Sequence, residues 1–219
     1  LIAANLDTLF ITTSCNADFN AARLERYLAL ANDAEVTPVI LLTKADKAEE
    51  TDSYVQDAQK LGRGLDVLVL NAKDPESIKL LTPWIGRGQT IALVGSSGVG
   101  KTTLTNALTG GSGATQEIRE DDARGRHTTT GRSLHRLPSG GLLIDTPGMR
   151  GLGVADVTHG IEATFAEISE LVDQCKFRDC KHESEPGCAV LAAVERGEVD
   201  PDRLRRYRKL KREDQISTE

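Results

Sequence analysis

The chain has 219 residues and a formal net charge of −6, with 39% hydrophobic, 4% aromatic and 27% charged residues. That length suits one α/β domain and a smaller module, and the composition suits a core of aliphatic side chains. No apolar run is long enough to span a bilayer, and no export signal is visible. We therefore expect a cytoplasmic protein with no membrane partner, and the total charge by itself gives no argument for nucleic acid.

Strands and helices alternate along most of the chain. Apolar runs predict strands at 8–13, 36–42, 65–70 and 90–94, and a hairpin of 133–137 with 141–145. Helical periodicity predicts helices through 24–31, 51–61, 78–85 and the residues after 101, whereas the Gly-rich and charged residues 110–131 predict a loop. This alternation indicates a mostly parallel sheet covered on both faces, in which ligands bind at the carboxyl ends of the strands.

A glycine-rich turn follows the predicted strand at 90–94. Its residues match the phosphate-binding pattern GxxxxGK[ST] and are Gly95, Ser96, Ser97, Gly98, Val99, Gly100, Lys101 and Thr102. In such a turn, backbone N–H groups surround a β-phosphate, Lys101 bridges the β- and γ-phosphates, and the Thr102 hydroxyl binds Mg²⁺. The alternative is a Gly-Ser turn with no ligand, but the strand before it and the helix-forming residues after it favour a phosphate site.

The tetrapeptide Asp-Thr-Pro-Gly at 145–148 closes the apolar run 142–144. Asp145 can hold a magnesium-bound water, and the N–H group of Gly148 can bond a γ-phosphate. A strand-ending turn is the common alternative for this tetrapeptide. Its presence beside a phosphate loop favours the nucleotide role.

Two short motifs end the second and third predicted strands, and together they predict a guanine site. They consist of Thr43, Lys44, Ala45 and Asp46, and of Asn71, Ala72 and Lys73. The Asp46 carboxylate can accept from N1–H and the amino group of guanine, whereas the acceptor N1 of adenine would repel it. Lys44 can cover the base, and the Ala72 N–H group can bond the guanine carbonyl oxygen.

The order of these motifs is unusual. In an ordinary small GTPase the base-reading motifs follow the phosphate loop, but in this chain they precede it. The sequence therefore predicts a P-loop GTPase fold with the circularly permuted order G4-G5-G1-G2-G3. G4 and G5 are the base-reading motifs at 43–46 and 71–73, G1 is the phosphate loop at 95–102, G2 is the loop at 125–130, and G3 is the tetrapeptide at 145–148.

The residues Gly-Arg-His-Thr-Thr-Thr at 125–130 lie between the phosphate loop and Asp145, where a threonine must reach Mg²⁺ when the γ-phosphate is present. Thr129 is our preferred ligand, and Thr128 and Thr130 stay open. Met149 stands where many GTPases place a water-orienting glutamine, so unaided hydrolysis should be slow. His127 is the best internal candidate for a catalytic side chain, and a solvated loop histidine is the alternative.

Four potential metal ligands fall between residues 175 and 188, namely Cys175, Cys180, His182 and Cys188. Three thiolates and one imidazole close a tetrahedral Zn²⁺ shell with no open position, so we predict one structural zinc ion. A disulfide or redox role is the alternative. Helical patterns at 161–172, 188–194 and 201–211 surround this segment. We therefore predict a domain of residues 1–154 followed by a small, mainly helical zinc-binding domain of residues 155–219.

Basic residues crowd the end of the chain, namely Arg203, Arg205, Arg206, Arg208, Lys209, Lys211 and Arg212. From charge alone, a solvated helix face is the simpler interpretation. Contact with RNA phosphates is the alternative.

The order of the nucleotide motifs, followed by the Cys/Cys/His/Cys pattern, resembles the circularly permuted, ribosome-small-subunit-dependent GTPases of the RsgA/YjeQ family over nearly the whole chain. The resemblance implies three parts: an N-terminal OB-fold, a permuted GTPase domain and a zinc-containing C-terminal domain. The chain begins at Leu1 rather than at Met, and residues 2–7 resemble the segment just after the OB-fold. We therefore expect that the OB-fold is absent from this chain.

By this resemblance, the guanine-reading residues are Thr43 to Asp46, the phosphate loop extends from Gly95 to Thr103, and His127 is the catalytic histidine. Thr43 departs from the Asn of the general GTPase pattern, which predicts weaker anchoring of the base. Asn71 replaces the usual Ser, which leaves the backbone contact of Ala72 intact.

The activity that the resemblance implies is slow, Mg²⁺-dependent hydrolysis of GTP to GDP and phosphate. The 30S ribosomal subunit stimulates it, late in small-subunit maturation, and an assembly factor is released. The implied partners are GTP and GDP, the 30S subunit with its 16S rRNA and that assembly factor, and we expect a monomer.

Two other hypotheses stay open. One is a non-catalytic, zinc-dependent RNA-binding module whose nucleotide pocket is structural. The other is a P-loop ATPase or kinase, which Asp46 argues against.

Overall fold

A computed structural model describes residues 5–111, 115–117, 133–145 and 155–218. These residues belong to two compact units. Unit 1 comprises residues 1–20, 36–59 and 65–152, and unit 2 comprises residues 21–35, 60–64 and 153–219. Among the helices in the described ranges, none combines the length and apolar character that crossing a membrane requires.

Unit 1 contains a seven-stranded sheet with the strand order β3-β2-β1-β4-β7-β6-β5. The strands are β1 (Thr8–Ser14), β2 (Thr37–Thr43), β3 (Asp66–Val69), β4 (Thr90–Val94), β5 (Thr115–Glu117), β6 (Ser133–Arg136) and β7 (Leu142–Asp145). Strands β3, β2, β1, β4 and β7 run parallel, and β6 pairs antiparallel with both β7 and β5. The mostly parallel sheet predicted from the sequence is confirmed.

The order of the strands reverses beside β1. The chain places β2 and then β3 on one side of β1, and it returns to place β4 on the other side. All seven residues of β1 and the last five of β2 are buried. Continuous burial of this kind is typical of parallel strands that are covered on both faces, and ligands bind where the strand order reverses.

Short helices complete unit 1, namely α2 (Asp52–Gln59), α3 (Pro75–Lys79) and α4 (Lys101–Thr109). The predicted helix through residues 78–85 is wrong, because α3 ends at Lys79 and a separate 3₁₀ turn covers Thr82–Trp84. Pro83 explains the break, since proline lacks an N–H group and disfavours helical geometry in the residue before it.

Unit 2 is helical. Its helices are α1 (Ala21–Asp33), α5 (Thr158–Thr164), α6 (Ala166–Val172), α7 (Ala189–Glu195) and α8 (Pro201–Thr218). Its core includes Ala29, Ile161, Phe165, Val190 and Tyr207, all of them buried. The association of α1 with the C-terminal helices was not predicted, and the division into domains of residues 1–154 and 155–219 stays a prediction.

Two helices of unit 2 differ from their predicted bounds. The single pattern at 161–172 is divided between α5 and α6 at Phe165, whose φ of −109° and ψ of 43° are not helical. Helix α8 continues beyond residue 211 to Thr218. Near that end, the buried Asp214 carboxylate accepts hydrogen bonds from the Val157 N–H group (2.9 Å) and the Thr158 hydroxyl (2.6 Å), so it caps the start of α5.

A buried ion-pair network joins α8 to α1. The Arg203 guanidinium, only 6% exposed as a residue, donates to Glu25 (2.9 Å) and to the Thr164 carbonyl (2.8 Å). It also lies 4.5 Å from the centroid of the Phe165 ring. Arg206 donates to the other Glu25 oxygen at 2.7 Å. For Arg203, both interpretations drawn from the sequence are wrong, because its buried side chain holds the helices together.

Candidate functional site

The nucleotide motifs follow the carboxyl ends of parallel strands. Residues 43–46 begin at the last residue of β2, residues 71–73 follow β3, residues 95–102 follow β4, and Asp145 ends β7. Since parallel strands of one sheet end at the same edge, segments far apart in sequence lie along one edge of unit 1. We call this the strand-end site.

A direct contact joins the motif predicted to read the base to the glycine-rich loop at residues 95–102. The buried Thr43 hydroxyl lies 2.5 Å from the carbonyl oxygen of Val99 and 3.1 Å from that of Thr13. A Cβ placed on Gly100 would lie 3.8 Å from the same hydroxyl oxygen. Thr43 therefore ties the end of β2 to the phosphate loop, although it is smaller than the Asn of the general pattern.

Positive backbone angles shape the phosphate loop. Gly95, Gly98 and Gly100 have φ values of 142°, 80° and 102°. A Cβ on Gly95 would lie 2.1 Å from the carbonyl oxygen of Thr12, so only glycine fits there. The loop passes into α4 at Lys101, whose Nζ atom donates to the carbonyls of Gly95 (2.7 Å) and Ser96 (2.5 Å). The lysine therefore folds back across the loop and places its positive charge over it.

Other side chains of this loop are accessible. Val99 is buried, whereas Ser97 and the two threonines of the first turn of α4, Thr102 and Thr103, are exposed. Both hydroxyls are therefore accessible to a cation at the start of α4.

The two segments predicted to read the base are tight turns. Lys44 is left-handed, with φ 59° and ψ 32°, and Ala45 and Asp46 form part of a 3₁₀ turn that leaves the Asp46 side chain exposed. In the second segment, the Asn71 side chain accepts from the Lys73 N–H group at 3.1 Å. This bond curls the chain around Ala72.

Several predicted residues lie outside the described ranges. They are His127, Thr128, Thr129, Thr130 and Gly148. Asp145 is described and is half-buried at the end of β7, paired in register with Leu93 of β4. The roles of His127, Thr129 and Gly148 in catalysis and in binding Mg²⁺ or phosphate therefore stay predictions.

The four predicted metal ligands come together in unit 2. The ligand atoms of Cys175, Cys180, His182 and Cys188 all lie within 4.8 Å of one another. The sulfurs of Cys175 and Cys188 are 3.9 Å apart, and His182 Nδ1 is 3.6 Å and 3.3 Å from them. A tetrahedral zinc shell places two sulfurs about 3.8 Å apart and a sulfur and a nitrogen about 3.5 Å apart. The donor set and its spacing therefore fit one tetrahedral metal ion.

Without a metal ion, burial keeps the Cys180 thiol protonated and the His182 imidazole neutral. Desolvation, together with the neighbouring Cys188 and Cys175 sulfurs, raises the pKa of the Cys180 thiol to about 12. Burial lowers the pKa of His182, which keeps its imidazole neutral. A divalent cation would displace the thiol protons and compensate the clustered negative charge.

Glu185 supports the metal-ligand loop, and the sequence analysis missed it. Its carboxylate accepts from the backbone N–H groups of Lys181 (2.9 Å), Glu183 (2.8 Å) and Ser184 (3.0 Å). These bonds lower the pKa of Glu185 to about 2. They also brace the turn that presents His182, whose φ is 58°. A glutamate three residues after a histidine ligand gave no signal of its own.

The fold and the strand-end site define the class of protein. The strand order and the order of the motifs at the strand ends are those of a circularly permuted P-loop GTPase fold. Residues 1–155 match a family described as RsgA GTPase. The chain belongs to this family.

Named relatives cover the chain almost completely. It is 60% identical over its full length to the "Small ribosomal subunit biogenesis GTPase RsgA" of Mesorhizobium japonicum, and it spans 64% of that protein. It is 52% identical over 97% of its length to the RsgA 2 protein of Vibrio vulnificus, of which it spans 61%.

Two solved structures have a similar fold. The crystal structure of YjeQ from Thermotoga maritima matches 94% of this chain and 70% of its own, with a TM-score of 0.67 and 28% identity. The crystal structure of YloQ, a circularly permuted GTPase, matches 98% of this chain and 70% of its own, with a TM-score of 0.66 and 31% identity.

Proposed function

We propose that this chain binds GTP with Mg²⁺ and slowly hydrolyses it to GDP and phosphate. The 30S ribosomal subunit, through its 16S rRNA, stimulates this reaction late in small-subunit maturation, and an assembly factor is released. A cytoplasmic location and a monomeric state are part of the proposal.

The proposal of a single nucleotide site rests mainly on one observed contact. The Thr43 hydroxyl bonds the Val99 carbonyl at 2.5 Å, although 55 residues separate the two in the chain. This contact supports the proposal, because it holds the segment proposed to read the base next to the loop proposed to hold the phosphates, as binding of one nucleoside triphosphate requires.

Binding follows from the groups at the strand ends. Backbone N–H groups of residues 95–100 would surround the β-phosphate, and Lys101 would exchange its two loop carbonyl partners for phosphate oxygens. Asp46, which is exposed at its turn, would accept the two guanine donors. Thr102 and Asp145 would hold Mg²⁺ directly and through water, with Thr129 completing the set.

Hydrolysis would rest on electrostatic stabilisation by Lys101, the loop amides and Mg²⁺, because phosphoryl transfer needs mainly positioning and charge. His127 would orient the attacking water. Met149 has no group that can do so, and this accounts for slow turnover without the ribosome.

The metal cluster would hold one structural Zn²⁺. Cys175, Cys180, His182 and Cys188 supply all four positions of a tetrahedral shell, so no position is open for a substrate or a water. The ion would fold the segment between α6 and α7 rather than take part in hydrolysis.

Ribosome dependence is supported by the relatives, whose names describe small ribosomal subunit biogenesis GTPases. The chain spans less than two thirds of each of them. Stimulation of this chain by small subunits therefore has to be measured on the chain itself.

The decisive experiment is GTP turnover with and without purified 30S subunits. We expect a low rate that rises strongly with subunits, and loss of both rates in Lys101→Ala. Lys79→Ala is the matched control, because Lys79 lies on α3 and pairs with Glu76 at the surface. Unchanged turnover in Lys101→Ala would contradict the proposal, and RNA binding without any turnover would favour the non-catalytic module.

Base choice can be tested at Asp46. GTP should displace a bound guanine nucleotide far better than ATP at equal concentration. In Asp46→Asn, the amide can donate to the second carbonyl of xanthine, so preference should shift from guanine to xanthine nucleotides. An unchanged preference would remove Asp46 from the base site.

A further inference from the structure

One exposed aromatic ring stands out in unit 2. The sequence contains four Phe, three Tyr and one Trp, all of them within the described ranges. Of these, only Phe177 is exposed, at 41%. It follows Cys175 by two residues, so it projects from the loop between the first two predicted metal ligands.

Phe177 is held in this exposed position by its backbone. The Cys180 N–H group donates to the Phe177 carbonyl at 3.3 Å, and the Lys176 N–H group donates to the Gly187 carbonyl at 3.1 Å. Gly187 has a φ of 77°, and a Cβ there would lie 3.0 Å from Lys176 Cβ. The loop therefore presents the ring from a fixed backbone, which limits the entropy lost when a partner binds.

The residues around Phe177 are charged rather than apolar. Lys176, Arg178, Asp179 and Lys181 are all exposed, and Lys176 Nζ lies 5.4 Å from the centroid of the Phe177 ring. A surface that binds an apolar protein partner presents a contiguous apolar patch. The loop instead offers one ring surrounded mainly by cations.

A basic groove continues from this loop to α8. Its volume is about 690 Å³, and its lining includes the cations of Arg178, Lys181, Arg208, Lys211 and Arg212 against the carboxylates of Asp179 and Glu183. Among the described residues, no ion pair uses Arg178, Lys181 or Arg208. Their charges therefore remain available for an anion.

A second groove of unit 2 has the opposite charge. It is about 380 Å³ in volume, and Glu162, Glu170 and Asp173 outnumber Lys211 in its lining. Positive charge is therefore concentrated in one groove, although the chain as a whole has a net charge of −6.

A flat exposed ring beside several cations suits an unpaired nucleic acid strand. Bases that are not paired can stack on an aromatic face, while adjacent phosphates contact Lys and Arg. A duplex hides the faces of its bases inside the stack, so it could use the cations but not the ring.

We propose that the loop of residues 176–181 and the adjoining basic groove form a binding site for unpaired RNA. Phe177 stacks on one base, and Arg178, Lys181 and the groove cations from α8 hold the neighbouring phosphates. The choice of RNA rests on the proposed function, and the site names the kind of RNA that the ribosome-bound chain contacts.

The test measures the affinity of the whole chain, loaded with zinc, for a fluorescent RNA of mixed sequence and about ten nucleotides, and for the same RNA as a duplex. Phe177→Ala should weaken single-strand binding about 5-fold to 150-fold, because stacking on one base is worth about 1–3 kcal/mol. Phe177→Leu keeps an apolar side chain without the ring and should be equally weak. Phe177→Trp should retain affinity, and RNA should quench the emission of the added indole.

The contribution of the cations can be measured separately, from the dependence of RNA affinity on salt concentration. Arg178→Ala or Lys181→Ala should reduce the slope of log affinity against log salt by about 0.7, whereas Phe177→Ala should leave the slope unchanged. Ile216→Ala and Arg196→Ala are matched controls, since Ile216 is an exposed apolar residue and Arg196 is an exposed arginine paired with Glu198. Both should bind RNA like the unaltered chain.

Several outcomes would overturn the proposal. One is equal single-strand affinity in Phe177→Ala and the unaltered chain, and another is full affinity in Phe177→Leu. Equal losses on duplex and single strand would exclude stacking. Weaker binding of Phe177→Ala to an isolated ribosomal protein, with RNA affinity unchanged, would make this a protein-docking surface.

The test is separate from that of GTP hydrolysis. RNA affinity is measured without nucleotide, and Lys101→Ala should keep it while losing GTP binding. A chain that hydrolyses GTP but does not bind unpaired RNA would overturn this inference alone. Unchanged turnover in Lys101→Ala would overturn the proposed function alone.

Discussion

The strand-end site and the metal cluster are assembled in opposite ways. The strand-end site brings together residues as distant as Thr43 and Asp145, and only the order and direction of the strands place them at one edge. The metal cluster comes from one short segment, residues 175–188, whose spacing already brings the ligands within reach of one ion. The first site depends on tertiary structure, and the second depends on local sequence and a cation.

Removal of the metal should have the largest effect, and it should be local. Chelation of zinc, or Cys188→Ser, should abolish hydrogen-exchange protection across 175–191, because structural zinc contributes about 10–16 kcal/mol of apparent binding free energy to small folding units. Affinity for GDP should change less than about twofold, and added zinc should restore the chelated chain. A parallel loss of GDP binding would show that the two sites do not act separately.

Two glycine variants should break the strand-end site to different degrees. In Gly95→Ala the new Cβ would lie 2.1 Å from the Thr12 carbonyl oxygen, so the free energy of unfolding should fall by about 3 kcal/mol or more, with loss of GDP binding. In Gly98→Ala nothing lies within 4 Å, and only its φ of 80° is unfavourable. That change should cost about 1 kcal/mol. Equal urea midpoints for the two variants would contradict this reading of the loop.

The buried network of unit 2 shows that a helical region can also depend on distant residues. Arg203→Ala should lower the free energy of unfolding by about 3 kcal/mol, because it leaves the Glu25 carboxylate, 1% exposed, with one guanidinium instead of two. Arg205→Ala is the control, since this residue is paired with Asp202 but 71% exposed. Its effect should stay below about 0.5 kcal/mol. Similar denaturation curves would mean that the buried pair adds nothing to stability.

A smaller effect is expected when the Thr43 hydroxyl group, which connects the end of β2 to the phosphate loop, is removed. Thr43→Val replaces the hydroxyl with a methyl group and leaves two carbonyls without their donor, so stability should fall by about 1 kcal/mol. Affinity for GDP should fall about fivefold, because the two halves of the site are no longer tied. Thr43→Ser keeps the hydroxyl and should restore most of the affinity measured by nucleotide titration. If Thr43→Ser binds GDP as weakly as Thr43→Val does, the hydroxyl group is not what connects the two segments.

The smallest effect concerns Tyr207 in the core of unit 2. Burial raises the pKa of Tyr207 to about 12. The unfolded chain therefore ionises this phenol at lower pH than the folded chain, so the stabilisation is complete below pH of about 10 and is lost as the pH rises towards 12. Urea midpoints from pH 9 to 11 should show a loss of about 1 kcal/mol that Tyr207→Phe lacks. If the urea midpoints of the unaltered chain and of Tyr207→Phe change with pH in the same way, the prediction is wrong.

Much of the strand-end site could be predicted because its signals are local. The phosphate loop, the guanine motif and the apolar strands are each readable in short windows, and parallel strands must end at one edge. The strand Thr90–Val94 has the predicted bounds, and five other strands differ from theirs by one or two residues. The loop predicted for residues 110–131 is wrong in part, because β5 (Thr115–Glu117) lies within it. Residues of the site that lie in 118–132 and 146–154 stay predictions.

Other features could not be predicted, because they depend on contacts between distant segments. Nothing near Glu25 or Arg203 in the sequence shows that they meet, and charge patterning alone assigned the arginine to the surface. The break at Phe165 has a similar origin, since the ring packs against Tyr207, with centroids 5.5 Å apart, instead of continuing a helix. The exposure of Phe177 could not be predicted from the sequence either, because aromatic residues are usually buried.

The membership of α1 in unit 2 has a consequence for how this chain can be divided. The helix stands between β1 and β2 in sequence, yet Ala29 packs in the same core as Ile161 and Phe165. A protein shortened after residue 154 would keep α1 but lose that core, and the apolar face of the helix would be left open to water. Because the two units alternate along the sequence, no single cut in the polypeptide separates all residues of unit 1 from those of unit 2.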